Sequence, residues 1–252
     1  MLAKRIIARL DVKAPNLVKG IRLEGFRVLG QPAEFAARYD ADGIDELLYV
    51  DVVASLYGRN GLTELIEATA NLTFTPLAVA GGIRSTRDVE LAFMAGADKV
   101  ALNTAAITNP AVITEIARLW GSQACVLSVE AKKTPKGWEA YVDGGRERTG
   151  RDAVVWIREA VDRGAGEVLL TSVDRDGTRK GMDLDLIAAV TDGLGVPTIA
   201  SGGAGSADDV AAAFDAGAAA VACGSLLHMG VETVGTLKAA LRARGVLVRE
   251  AA

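Results

Sequence analysis

The chain has 252 residues, of which 50% are hydrophobic and 24% are charged. This composition is typical of a globular protein with a large core, and no apolar run is long enough to span a bilayer. The formal net charge of −4 argues against a general affinity for nucleic acid.

Eight short runs rich in Val, Ile, Leu and Ala predict strands. Each is almost continuously apolar, as expected for a parallel sheet that is buried on both faces. In chain order the predicted strands are residues 5–12, 46–53, 76–80, 99–103, 125–130, 167–173, 197–201 and 219–224. Helical patterns lie between them at residues 32–42, 61–69, 85–95, 110–120, 150–163 and 206–216. Ser85 and Ser206 are predicted helix N-caps.

The chain repeats itself at an offset of 121 residues, without a gap. Pro76 matches Pro197, and the pair Gly81-Gly82 matches Gly202-Gly203. A repeat of nearly half the chain, in which each half alternates strands and helices, predicts a duplicated α/β unit. We therefore expect one domain over residues 1–252, a (β/α)8 TIM barrel built from two half-barrels, and the length is typical of that fold.

The first residues of the chain and its two cysteines indicate the cellular compartment. The first ten residues, MLAKRIIARL, lack the long apolar region and the cleavage site of a signal peptide. Cys125 and Cys223 lie in apolar runs and are predicted to be buried hydrophobes rather than a disulfide. We expect a cytoplasmic protein without a membrane partner.

Two connections are longer than a barrel requires. Residues 13–30 follow the first predicted strand and residues 132–149 follow the fifth. Both lie on the C-terminal face, where barrel enzymes carry out their chemistry. Connections of this length are usually functional, so we interpret them as lids.

Carboxylates end the same two strands. Asp11 is followed by Lys13, and Glu130 is followed by Lys132, at matching positions on opposite sides of the barrel mouth. Two facing carboxylates suit general acid and general base roles. The alternative is that one or both only pair with a nearby Lys or Arg. Asp51, at the end of the second predicted strand, has either a functional or a structural role.

Glycine pairs mark two predicted phosphate sites. The third and seventh predicted strands end in Gly81-Gly82 and Gly202-Gly203, and glycine lets backbone N–H groups approach an anion. The loops after the seventh and eighth strands of a barrel commonly bind phosphate. Because the chain is duplicated, we expect a second site and a substrate with a phosphate at each end. The predicted substrate-binding and phosphate-binding residues are Lys19, Gly82, Asn103, Thr104, Asp176, Gly177, Gly203 and Ser225.

Four charges stand at the opposite end of the barrel. Arg5, Glu46, Lys99 and Glu167 each begin a predicted strand. They either close the base of the barrel as a ring or are ordinary solvated charges, and the residues alone favour the second interpretation.

Over its full length the chain resembles the HisF family, the cyclase subunit of imidazole glycerol phosphate synthase. The matching motifs are residues 1–7, LDVK (10–13), DEL (45–47), GGI (81–83), GADKV (96–100), NTAA (103–106), GSQ (121–123), GAGE (164–167), LTS (170–172), DRDGT (174–178) and residues 199–205. The sister isomerase of histidine synthesis shares the fold and the duplication, but GADKVALNTAA and TSVDRDGT are closer to the cyclase.

The resemblance implies an enzyme of histidine biosynthesis with neither cofactor nor metal. It implies that Asp11 and Glu130 are acid and base in closing an imidazole ring with ammonia and releasing aminoimidazole carboxamide ribotide. It also implies that a glutaminase subunit of the HisH type docks at the N-terminal face and delivers ammonia through the barrel. In the family a charged ring controls that passage, and its positions match Arg5, Glu46, Lys99 and Glu167. The resemblance therefore favours a closed ring at the base of the barrel over ordinary solvated charges.

The chain departs from the family pattern at its mouth. The strand-end aspartate of the family is Glu130 here, and the usually small or apolar ninth position is Arg9, whose charge requires a carboxylate or phosphate partner if it is buried. Other departures are residues 14–17, Ala80 and residues 56–59. Two alternatives to the cyclase therefore stay open: a HisF-like paralogue that amidates another acceptor such as a nucleotide sugar, and a barrel that only binds a phosphorylated ligand or a glutaminase.

Overall fold

The computed structural model describes residues 2–54 and 62–250. Met1, the departure at residues 56–59 and the start of the helix predicted at residues 61–69 lie outside the described residues. Among those described, no helix is long and apolar enough to cross a membrane.

Eight parallel strands close into a barrel in the order β1, β4, β5, β6, β7, β10, β11, β12 and back to β1. This arrangement confirms the predicted (β/α)8 TIM barrel. The described strands are β1 (Arg5–Lys13), β2 (Asn16–Ile21), β3 (Glu24–Gly30), β4 (Glu46–Asp51), β5 (Leu77–Ala80), β6 (Lys99–Leu102), β7 (Cys125–Thr134), β8 (Gly137–Val142), β9 (Glu147–Asp152), β10 (Glu167–Ser172), β11 (Thr198–Ser201) and β12 (Ala220–Cys223).

Helices surround the barrel. They are α1 (Pro32–Ala41), α2 (Thr63–Ala70), α3 (Thr86–Met94), α4 (Thr104–Thr108), α5 (Ala111–Trp120), α6 (Ala153–Asp162), α7 (Leu184–Thr191), α8 (Ala207–Asp215), α9 (Ser225–His228) and α10 (Val234–Ala243). The hydroxyls of Ser85 and Ser206 accept the backbone N–H groups of Asp88 and Asp209, which confirms both predicted N-caps.

The duplication is visible in the elements themselves. Strands β4, β5 and β6 and helix α3 have the same bounds as β10, β11, β12 and α8, displaced by the 121 residues of the sequence repeat. Cys125 and Cys223 are free and buried, as predicted.

The two long connections are not irregular loops. Strands β2 and β3 form one antiparallel hairpin next to β1, and β8 and β9 form another next to β7. Because β7 continues into its hairpin, it ends at Thr134 rather than at the predicted Glu130. Both hairpins rise from the C-terminal face of the barrel.

Alternation along each strand decides which side chains enter the barrel, because successive residues point to opposite faces. On β1 the inward series runs from Arg5 at the base through Ile7 and Arg9 to Asp11 at the mouth. Large apolar side chains from neighbouring strands fill the interior around Ile7, together with alanines. The barrel is therefore a packed core with charged layers at both ends.

Candidate active site at the barrel mouth

The four basal charges form a closed ring, which we call the basal ring. Arg5 bonds Glu46 at 2.7 Å and also bonds Glu167. Lys99 lies 3.2 Å from Glu46 and 2.8 Å from Glu167. Burial raises the pKa of Glu46 above its ordinary value, although Lys99 and Arg5 oppose that effect. The ring interpretation of these residues therefore agrees with the geometry, and the gating role stays a prediction.

A second closed cluster lies at the other end of the barrel axis. Asp11 accepts Arg9 Nε at 2.8 Å on one carboxylate oxygen and Lys19 Nζ at 2.6 Å on the other. Lys19 also bonds Asp176 at 3.0 Å. All four side chains are buried, and we call them the mouth tetrad. Arg9 thus has the carboxylate partner that its burial requires.

Asp11 lies at the barrel mouth as predicted, but it is fully buried. Burial alone would raise its pKa, yet the adjacent Arg9 and Lys19 outweigh burial and hold the pKa below its ordinary range. Asp11 is therefore ion-paired on both oxygens, and its role as acid or base stays a prediction. Its cations are Arg9 and, from β2, Lys19, whereas the nearby Lys13 is exposed.

Glu130 has a different environment. Its Oε2 accepts the backbone N–H of Gly145 at 2.7 Å, from the turn between β8 and β9. Burial raises the pKa of Glu130 to about 7, against the opposing effects of Arg9 and the Gly145 N–H. A carboxyl group with this pKa both accepts and donates a proton near neutrality, as a general acid–base group requires.

A cavity of about 310 Å³ opens beside Glu130. Its lining includes the predicted Gly82, Asn103 and Thr104, and also Arg9. The preceding Gly81 has φ of +93°, and a Cβ there would lie 2.5 Å from the Asp51 carbonyl oxygen, so this tight turn requires glycine. The structure therefore brings the first predicted phosphate site and Glu130 to one cavity.

The second predicted phosphate site is a narrow cavity of about 20 Å³. The predicted residues that line it are Lys19, Asp176, Gly177, Gly203 and Ser225. At Gly202, which corresponds to Gly81 in the repeat, a Cβ would lie 2.7 Å from the Ser172 carbonyl oxygen. Glycine is again required by close backbone approach, so both halves of the repeat carry a comparable turn.

Some polar residues of the mouth bind its own hairpins. The Asn103 amide donates to the Tyr141 carbonyl at 3.2 Å, and the Thr104 hydroxyl meets Asp143. Asp51 accepts the Val53 N–H. The β8–β9 hairpin is in this way fixed over the cavity.

Sequence reasoning missed His228, the single histidine of the chain. Its Nε2 donates to the Arg9 carbonyl at 2.9 Å, because a carbonyl only accepts, and its Nδ1 then accepts the Tyr39 hydroxyl at 2.7 Å. Burial lowers the pKa of His228 to about 4, so it is neutral at neutral pH. A lone histidine far along the chain from Arg9 gives no signal of this contact.

A closed (β/α)8 barrel with a titratable carboxylate and two glycine-bounded cavities at its C-terminal face defines a TIM-barrel enzyme. The family model described as histidine biosynthesis protein matches residues 5–233. The chain belongs to the HisF family of histidine biosynthesis proteins.

Three relatives support this assignment over most of the chain, and each is named imidazole glycerol phosphate synthase subunit HisF. The protein of Myxococcus xanthus (strain DK1622) is 52% identical over 250 residues, which cover 99% of both chains. That of Legionella pneumophila is 56% identical over 206 residues, which cover 81% of this chain and 97% of the relative. That of Thermobifida fusca (strain YX) is 48% identical over 254 residues, which cover 98% and 99%.

Proposed function

We propose that this chain is the cyclase subunit of an imidazole glycerol phosphate synthase. It uses ammonia to close an imidazole ring, and it releases imidazole glycerol phosphate and aminoimidazole carboxamide ribotide. The observation that carries the proposal is Glu130, a carboxyl group with a pKa of about 7, at a cavity bounded by a glycine turn. The relatives favour this function over amidation of another acceptor and over a non-enzymatic scaffold.

The substrate carries a phosphate at each end in this proposal. One phosphate binds near Gly82, Asn103 and Thr104, and the other near Gly203 and Ser225. The larger cavity, at about 310 Å³, is the place for the reacting part of the molecule, and the smaller one, at about 20 Å³, lies beside the glycine turn that would bind the second phosphate. Lys19 supplies positive charge to the second site, with Asp176 and Gly177 beside it.

Glu130 transfers protons in the reaction, and general acid–base catalysis of this kind contributes ~10²–10⁴-fold in rate. Asp11 was predicted as its partner. Because both Asp11 oxygens are occupied by buried cations, its contribution is electrostatic and positional. The two carboxylates of the mouth therefore have unequal roles.

Ammonia comes from a glutaminase subunit of the HisH type, which docks at the N-terminal face. The basal ring is the point of entry, because its four charges close the base of the barrel around the axis. The relatives are named as subunits, which supports the existence of a partner.

The test is turnover of the ring-open precursor of imidazole glycerol phosphate by the purified chain, with an ammonium salt as nitrogen source. This assay bypasses the glutaminase. We expect formation of both products, and we expect Glu130→Gln to remove activity while the variant stays folded by circular dichroism. A folded wild-type chain that forms neither product contradicts the proposal and favours another acceptor.

A further inference from the structure

Asp11 has no contact with either cavity of the mouth. Arg9 and Lys19 occupy its two oxygens, and it is the most deeply buried member of the mouth tetrad. It does not line the 310 Å³ cavity or the 20 Å³ cavity. A group that transfers a proton to or from a substrate must come within hydrogen-bond reach of it.

Arg9, in contrast, lines both cavities. Its Nη1 donates to the Thr171 hydroxyl at 2.9 Å and to the Ser201 hydroxyl at 3.0 Å. Its Nε donates to Asp11. Within the described part of the chain, its other terminal nitrogen, Nη2, donates to no group. Two N–H donors of a rigid guanidinium are thus left for a ligand.

The backbone of Arg9 is fixed as well. His228 donates to its carbonyl and is itself held by the Tyr39 hydroxyl. The rings of Tyr39 and His228 stack with centroids 5.8 Å apart. A side chain with three protein hydrogen bonds on an anchored backbone is preorganised, which is what electrostatic stabilisation of a reacting group requires.

We propose that Arg9 and Glu130 are the pair that acts on the substrate, and that Asp11 is the fixed counter-ion of Arg9. Arg9 donates through Nη2 to an oxygen in the middle of the substrate, between its two phosphates. Glu130 accepts one proton from the substrate and returns one to it, so the enzyme ends each cycle in its starting protonation state. The identity of the substrate rests on the proposed function, whereas the roles of the three residues do not.

The charges around Glu130 allow a test of the different roles proposed for Arg9, Asp11 and Glu130. Arg9 and Asp11 face it from β1, and Asp143 faces it from the turn that also provides the Gly145 N–H. A cation favours the ionised carboxylate and an anion disfavours it. The two members of the Arg9–Asp11 pair therefore displace the titration of Glu130 in opposite directions.

The first experiment needs no substrate. Protein labelled with ¹³C at the glutamate side-chain carboxyl is titrated by NMR, and Glu130→Gln identifies the resonance of Glu130. Arg9→Met should raise the pKa of Glu130 and Asp11→Asn should lower it. An unchanged Glu130 titration in Arg9→Met overturns the proposal. If Arg9→Met does not fold, Arg9→Gln, which also removes the charge, takes its place with the same expectation. Arg9→Lys, which keeps the charge, is the control and should titrate close to the wild type.

The second experiment is a double-mutant cycle in the ammonium-dependent assay. Glu130→Gln and Arg9→Met should each lose ~10²-fold or more in kcat. Because Asp11 acts through Arg9, Asp11→Asn should cost less than about threefold more in the Arg9→Met background. A further ~10²-fold loss there means that Asp11 transfers protons itself and overturns the proposal. If the wild-type chain does not turn over this substrate, the proposed function fails, and the NMR titration alone decides the roles.

Discussion

Replacing Glu130 by Gln should stabilise the protein at neutral and alkaline pH. The pKa of Glu130 rises from an ordinary value of 4.5 to about 7 in the folded chain, chiefly because the partly buried side chain loses most of its hydration. Gln has nearly the same shape and still accepts the Gly145 N–H, but it never ionises. The substitution therefore isolates the free energy of placing a charge at this position.

The sign follows from proton linkage. Below about pH 4.5 the carboxyl group is protonated in the folded and the unfolded chain, so it has no pH-dependent effect on stability. As the pH rises from about 4.5 to about 7, the unfolded chain ionises first and stability is lost. Above the folded-state pKa the loss is complete, at roughly 3 kcal/mol, since one pKa unit corresponds to ~1.4 kcal/mol.

The assay is urea unfolding of the wild type and Glu130→Gln at about pH 5 and about pH 8. The stability advantage of the variant should grow by roughly 2–3 kcal/mol between these two conditions. Glu115→Gln, at an exposed glutamate on α5, is the matched control and should show no such growth. An advantage that is equal at both pH values, or that shrinks, refutes the assignment of a raised pKa to Glu130. The same variant should lose ~10²–10⁴-fold in kcat.

Three further perturbations test other parts of the structure. Lys99→Met opens the basal ring and should lower glutamine-dependent turnover more than ammonium-dependent turnover, whereas equal losses indicate a general effect on the barrel. Lys238→Met leaves the buried Asp45 without the cation that lies 2.7 Å away. This variant should lower the free energy of unfolding in urea by ~3–5 kcal/mol, and a loss below about 1 kcal/mol would contradict the prediction. Crystals grown in phosphate should bind one anion near Gly82 and one near Gly203, and an anion at only one of them argues against a substrate with two phosphates.

The sequence predicts the barrel well because the patterns that indicate this fold recur along the chain. Apolar runs recur at regular spacing, and the 121-residue repeat assigns both halves the same elements. Strand bounds are predicted poorly where pairing extends beyond the apolar run. Glu130 pairs with Tyr141 of β8, and that contact continues β7 past its predicted end. Hairpin formation of this kind depends on the partner strand β8, and the apolar pattern of β7 carries no information about that partner.

The site is predicted only in part for a similar reason. Alternation places Arg9 and Asp11 on the same face of β1, but it does not show which cation each carboxylate meets. Lys19 reaches Asp11 only because β2 folds back on β1. Among the described residues no lysine or arginine bonds Glu130 directly, and Lys132 lies over the Tyr141 ring. Two carboxylates that look equivalent in the sequence therefore differ in pKa.

The basal ring and the mouth tetrad each contain two cations and two carboxylates, but the two clusters differ in burial. In the basal ring the side chains of Arg5 and Lys99 are 24% and 22% exposed. In the mouth tetrad no residue is more than 6% exposed. Opening an ion pair that water reaches costs ~1 kcal/mol or less, whereas separating a buried one costs ~3–5 kcal/mol. Because the side chains of Glu46 and Glu167 are only 4% and 6% exposed, the basal ring lies between these limits, and we expect it to rearrange more readily than the mouth.

This difference predicts how fast two lysines exchange their ammonium protons. Lys19 has its ammonium group in a buried cluster, bonded to Asp11 and Asp176. Lys99 has two carboxylate partners as well, but solvent reaches it. In ¹⁵N-edited NMR of the labelled protein at low temperature, we expect a resolved ammonium resonance for Lys19 and faster exchange for Lys99, with assignment by Lys→Met variants. Equal exchange at both lysines, or faster exchange at Lys19, would mean that the mouth opens as readily as the base and that Arg9 is not held in place.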